Sequence, residues 1–82
     1  MHKKALVDER IRKALMLLRG WEWMCTISCR HQEAIAILTE EALSLLRLGK
    51  EHPSRAREIG AMIVQYERLI TSLKATTRAA LD

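Results

Sequence analysis

The sequence predicts an all-α protein, a three-helix bundle built on a long antiparallel helical hairpin and dimerising through a leftover apolar face. Three observations lead there. Leu (12 residues), Ala (10) and Ile (7) dominate the 82 residues, and Ala and Leu lead the helix propensity scale. Apolar residues recur at helical spacing in three stretches. Between those stretches stand Gly20 and the run Gly49-Lys50-Glu51-His52-Pro53-Ser54, with glycine expected past a helix end and proline at the next helix start. The chain is expected to form one domain over residues 1–82, near the lower limit of what folds alone.

The first helix is expected over residues 3–19. Val7, Ile11, Ala14, Leu15 and Leu18 fall on one face at helical spacing. Leu6 and Leu17 fall well off it, beside Arg10 and Lys13, whose alkyl stems can cover them. Gly20 is expected to close this helix.

The second helix is expected over residues 22–48, because Trp23, Met24 and Ile27 stay in phase with Leu38 and Leu45. Its apolar residues cover about 260° of the wheel, which demands shelter on more than one side. At 1.5 Å per residue it would be about 40 Å long, against about 25 Å for the first helix. The first helix then cannot sheath it, and a strip remains for another chain. Trp23, Ile35, Leu43 and Leu46 are the candidate interface residues. The alternative makes residues 20–28 an aromatic-rich loop, with Ser28 capping a helix that begins at Cys29, since Trp, Cys, Thr and Ile are poor helix formers.

The third helix is expected over residues 54–78. Ile59, Tyr66, Leu73 and Ala80 repeat every seven residues, with Met62/Ile63 and Leu69/Ile70 between them, as in the seam of a coiled hairpin. Ala56 followed four residues later by Gly60 has the small-residue spacing of a helix-turn-helix. A turn there would break the phase that Ile59, Ile63, Tyr66 and Ile70 keep, so that reading is rejected. Gly60 is instead expected to admit a neighbouring helix closely.

The net charge is +4, distributed as +4 over residues 1–20, −2 over 21–52 and +2 over 53–82. A basic first helix carrying Lys3, Lys4, Arg10, Arg12, Lys13 and Arg19 supports an alternative class, a small nucleic-acid-associated regulator. Arg55 and Arg57, with His52, stand where free N–H groups at a helix start can receive a phosphate or carboxylate. Asp8, Glu9, Arg10, Arg12 and Lys13 interrupt any signal-peptide core, and no apolar run approaches the ~20 residues a membrane span needs. A cytoplasmic location is expected.

Cys25, Cys29 and His31 are the residue types zinc uses, but on one helix His31 points away from the two thiols and a fourth ligand is missing. No metal or cofactor is expected. His31 or Arg30 with Glu41 suggests a buried polar pair that sets register. No nucleophile with a nearby base is indicated, so a catalytic role is not expected. The leading expectation is a non-enzymatic protein–protein interaction module, either a homodimer or an adaptor or co-chaperone binding a helical partner.

Overall fold

The computed structural model describes residues 2–27 and 30–81, with side chains for residues 6–24 and 30–77. It is all-helical: α1 spans His2–Ile27, α2 His31–Glu51 and α3 Ala56–Leu81, with a short 3-10 turn at Pro53–Arg55 before α3. The described residues form a bundle of 51 × 19 × 15 Å.

The boundaries differ from the sequence reading at the first break. Gly20 does not end a helix. Its φ is not positive, and α1 continues through Trp21, Trp23 and Met24 to Ile27. An interior glycine weakens a helix by about 1 kcal/mol without being able to stop it. The alternative, an aromatic-rich loop over 20–28, is likewise replaced by helix as far as Ile27. The described helix ends on Thr26 and Ile27, β-branched residues that lose side-chain freedom in helical geometry. Arg30 then takes the N-cap position of α2 with φ −86° and ψ 50°, and its carbonyl accepts the Ala34 amide at 3.0 Å. Ser28 as a cap lies outside the described residues.

The second break falls close to its expected place. α2 runs through Gly49 to Glu51, and the His52 amide closes it on the Leu48 carbonyl at 3.0 Å. Pro53 opens the turn, where its missing N–H removes no helical bond. So short a connection makes α2 and α3 antiparallel neighbours. They share the most extensive contact in the bundle. Small residues let two helix axes approach. A Cβ added at Gly49 would stand 3.6 Å from Ile59 Cγ2, an ordinary van der Waals contact, so Gly49 faces α3 without being required there.

α1 lies along this hairpin and touches it at fewer close points. Leu6 and Val7 line a shallow depression with Leu48, Glu51 and His52, so α1 runs antiparallel to α2. Asp8 meets Arg55 and Ala14 meets Tyr66, so α1 runs parallel to α3. The core gathers one stripe from each helix: Val7, Ile11, Ala14 and Leu18 from α1; Ala34, Leu38 and Leu45 from α2; Ile59, Met62, Tyr66 and Leu73 from α3. Steps of three, four and seven along the stripes keep each on one side of its helix.

The new boundaries reverse the length argument. α1 has 26 residues and α2 has 21, or about 39 Å and 31 Å at 1.5 Å per residue. The first helix is long enough to lie along all of the second. Whatever stays exposed on α2 is exposed because it faces outward.

Candidate interaction surface

α2 has two apolar sides. Ala34, Leu38 and Leu45 are fully buried, whereas Leu43 is 53% and Leu46 47% exposed. Ala36 and Thr39 are exposed with them. At ~100° per residue these four lie on one line opposite the buried stripe. Leu43 and Leu46 are therefore where the sequence reading placed them, on a strip the other two helices leave bare.

Ile35 and Trp23 do not share that strip. Ile35 is half-buried and packs against the core, because its position turns it toward the seam. Trp23 is 66% exposed, but it belongs to α1. It lines a shallow depression with Arg19, Glu22 and Gln65. Met16, which is 67% exposed, lines a separate shallow apolar groove of α1 with Leu17, Gly20, Trp21 and Met24. The assignment of Trp23 to the second helix failed with the boundary at Gly20.

The candidate anion contacts are dispersed. Arg12 and Arg57 are exposed. Exposed Lys13 lies 3.5 Å from Glu9 one turn back. Lys3 and Lys4 are on α1, and their side chains lie outside the described residues. Arg55 is the correction. Its Nη2 lies 2.6 Å from Asp8 Oδ1, and its Nε donates to Glu58 Oε2 at 3.0 Å. These carboxylates raise the guanidinium pKa, the Asp8 hydrogen bond most and Glu58 next. A cation before a helix start opposes the helix dipole. Here the chain supplies the compensating anions itself, so Arg55 is not open to a phosphate.

One polar layer crosses the bundle. Arg10 on α1 is ion-paired with Glu41 on α2 and its Nη2 donates to Ser44 Oγ at 2.9 Å. Glu41 Oε1 is buried and meets Arg10 as an ion pair without hydrogen-bond geometry. Tyr66 of α3 donates to the Ala14 carbonyl beside this pair. The sequence reading expected a polar pair at Glu41 but chose its neighbours on the same helix. The partner comes from α1. Arg30 sits instead 3.8 Å from exposed Glu33. Arg10 lies at the edge of α1's apolar arc, which is the signal that would have singled it out.

No group of three or more potential metal ligands gathers among the described residues. The side chain of Cys25, and Cys29 altogether, lie outside them. No described helix is long and apolar enough to cross a membrane. Gly60 does not mark a close helix approach, since a Cβ built there meets nothing within 4 Å. Comparison with protein-family models, curated proteins and solved structures finds no match.

Proposed function

We propose that this chain is a non-enzymatic, cytoplasmic helical interaction module. It buries the outer face of α2 against a helix of a partner, either a second copy or another protein in the manner of a small adaptor or co-chaperone. The observation that carries this reading is the pair Leu43 and Leu46, half-exposed and aligned with Ala36 and Thr39 on one side of a helix whose other side is the core. Contiguous exposed apolar surface rimmed by charge is the mark of an interaction site. The polar layer supports a structural rather than catalytic use, because Arg10, Glu41, Ser44 and Tyr66 take one another or the backbone as partners.

The test is the native mass of the full chain in an extract of its own cells, compared with Leu43→Glu/Leu46→Glu. The wild type should migrate well above monomer mass and the double variant at monomer mass, with equal helicity by circular dichroism. Migration of both at monomer mass overturns the reading.

The nucleic-acid alternative rests on exposed Arg12 and Lys13. It ranks second because Asp8 and Glu9 interleave with that basic stretch and Arg55 is held by Asp8 and Glu58. Salt-sensitive retention on duplex DNA, lost in Arg12→Ala/Lys13→Ala, would move it to first.

A further inference from the structure

The outer face of α2 is longer than Leu43 and Leu46 alone. Gln32, Ala36, Thr39, Leu43, Leu46 and Lys50 follow one another at alternating steps of four and three residues, and all six are exposed. That spacing is the seam of a coiled coil, and it lies opposite Ala34, Leu38 and Leu45. The line is graded along its length. Small Ala36 and Thr39 occupy its first half, and Leu43 and Leu46 its second. Charge is graded in part in the same sense. Exposed Glu33 flanks the first half and Glu40 the middle, while Arg47 beside the line and Lys50 on it mark the second, with exposed Glu51 at its far end.

Both gradients are resolved by one occupant. We infer that the partner of this face is α2 of a second copy, packed antiparallel about a two-fold axis passing at the level of residue 41. This rests on the interaction-module reading above and names its partner. In that register Ala36 meets the partner's Leu46 and Thr39 meets the partner's Leu43, so each large side chain faces a small one, twice over by symmetry. Gln32 meets the partner's Lys50 at each end. Glu33 comes beside the partner's Arg47, again twice, as flanking charges do when they set the direction of paired helices.

Parallel pairing does the opposite. It would set small on small and Leu on Leu, leaving a gap at one end and crowding at the other. It would also place acid at the level of acid and base at the level of base. The antiparallel register carries one unfavourable contact, because Glu40 stands near the axis and so beside its own copy. That defect is a signature, since no other register along this face brings Glu40 to its equivalent while keeping Leu43 against Thr39.

The experiment is a dilution series of the purified full-length chain by light scattering or sedimentation. A concentration-dependent dimer is expected, weakened by salt. Glu33→Arg alone and Arg47→Glu alone should each raise the dissociation constant about tenfold, since each turns two attractions into two repulsions of exposed-pair size. Mixed in equal amounts, these two variants should recover wild-type affinity as a heterodimer, because each altered position then meets its complement on the other chain. Glu40→Gln should tighten the dimer a few-fold. Circular dichroism confirms that each variant keeps its helices.

If the single variants weaken association and the mixture does not recover, the antiparallel register is wrong. A wild-type chain that stays monomeric when pure, yet runs heavy in extract through Leu43 and Leu46, overturns the second-copy assignment and leaves the interaction module standing. Monomer under both conditions overturns both.

Discussion

The phenol of Tyr66 donates its hydrogen to the backbone carbonyl of Ala14, 52 residues away, and ties the third helix to the first. Helical side chains lean toward the N-terminus of their own helix. Because α1 and α3 run the same way, that lean carries the Tyr66 hydroxyl back along α1 to a carbonyl that an Ala side chain leaves accessible. Burial pushes the phenol pKa up to about 12; the nearby Glu41 charge adds to this and Arg10 opposes it.

Tyr66→Phe keeps the ring and removes the bond. The expected loss is about 1 kcal/mol at neutral pH, since the Ala14 carbonyl retains its helical partner. At alkaline pH the two proteins should differ in another way. A phenol whose folded pKa exceeds its unfolded value of ~10 contributes fully below pH ~10 and loses that contribution as pH rises toward 12. Urea titrations should show wild type losing about 2–3 kcal/mol more than Tyr66→Phe over that window. Equal losses would mean the hydroxyl is wet.

Glu41→Ala leaves the Arg10 guanidinium with Ser44 alone. The side chains of Arg10 and Glu41 remain 31% and 18% exposed, so water screens part of the penalty, and about 1–2 kcal/mol of stability should be lost. Replacing both, as Arg10→Met/Glu41→Leu, should return to within about 1 kcal/mol of wild type, because an apolar pair needs no partner. A double variant as weak as the single one would show that the polar layer stabilises the bundle in its own right.

Gly20→Ala tests the continuity of α1. Nothing lies within 4 Å of the added methyl and the backbone is helical, so stability should rise by about 0.5–1 kcal/mol. For a chain of this size that moves the melting temperature up by about 3–6 °C. A lower melting temperature would place a helix end at Gly20 after all. Gly60→Ala, equally unobstructed, should behave alike.

Leu38 and Leu43 divide α2 into its two sides. Leu38→Ala should destabilise by about 2–5 kcal/mol through loss of burial and the cavity left behind. Leu43→Ala, measured at the highest dilution that gives a signal, should change stability by less than about 0.5 kcal/mol. A large effect of Leu43→Ala at high concentration that fades on dilution marks association rather than folding.

Two of the three core stripes were legible in the sequence. Val7, Ile11, Ala14 and Leu18, and again Ile59, Met62, Tyr66 and Leu73, were read on the faces they bury. Each has a strong period and a clean polar side. The middle stripe was harder, because Trp23, Met24 and Ile27 keep the phase of Leu38 across a break that periodicity does not register. Glycine was read as the stronger punctuation. The helix instead runs on to Ile27 and the next begins at His31, since a lone glycine costs only about 1 kcal/mol inside a helix with a face to bury. The exposed Leu43 and Leu46 survived that error because they sit well inside α2 under either boundary. The Arg10–Glu41 pair was half legible: a carboxylate on an apolar face announces a partner, but only packing shows which helix provides it.

The first helix is tied to both others, through Arg10 to Glu41 and Ser44 on the second and through Asp8 to Arg55 and the Ala14 carbonyl to Tyr66 on the third. A ribosome releases the chain from its beginning and folding follows in that order. α1 can therefore meet α2 through Arg10 before the third helix is made, and its ties to Arg55 and Tyr66 follow. α2 and α3 share the larger contact, and α1 completes the bundle by holding a side chain of each.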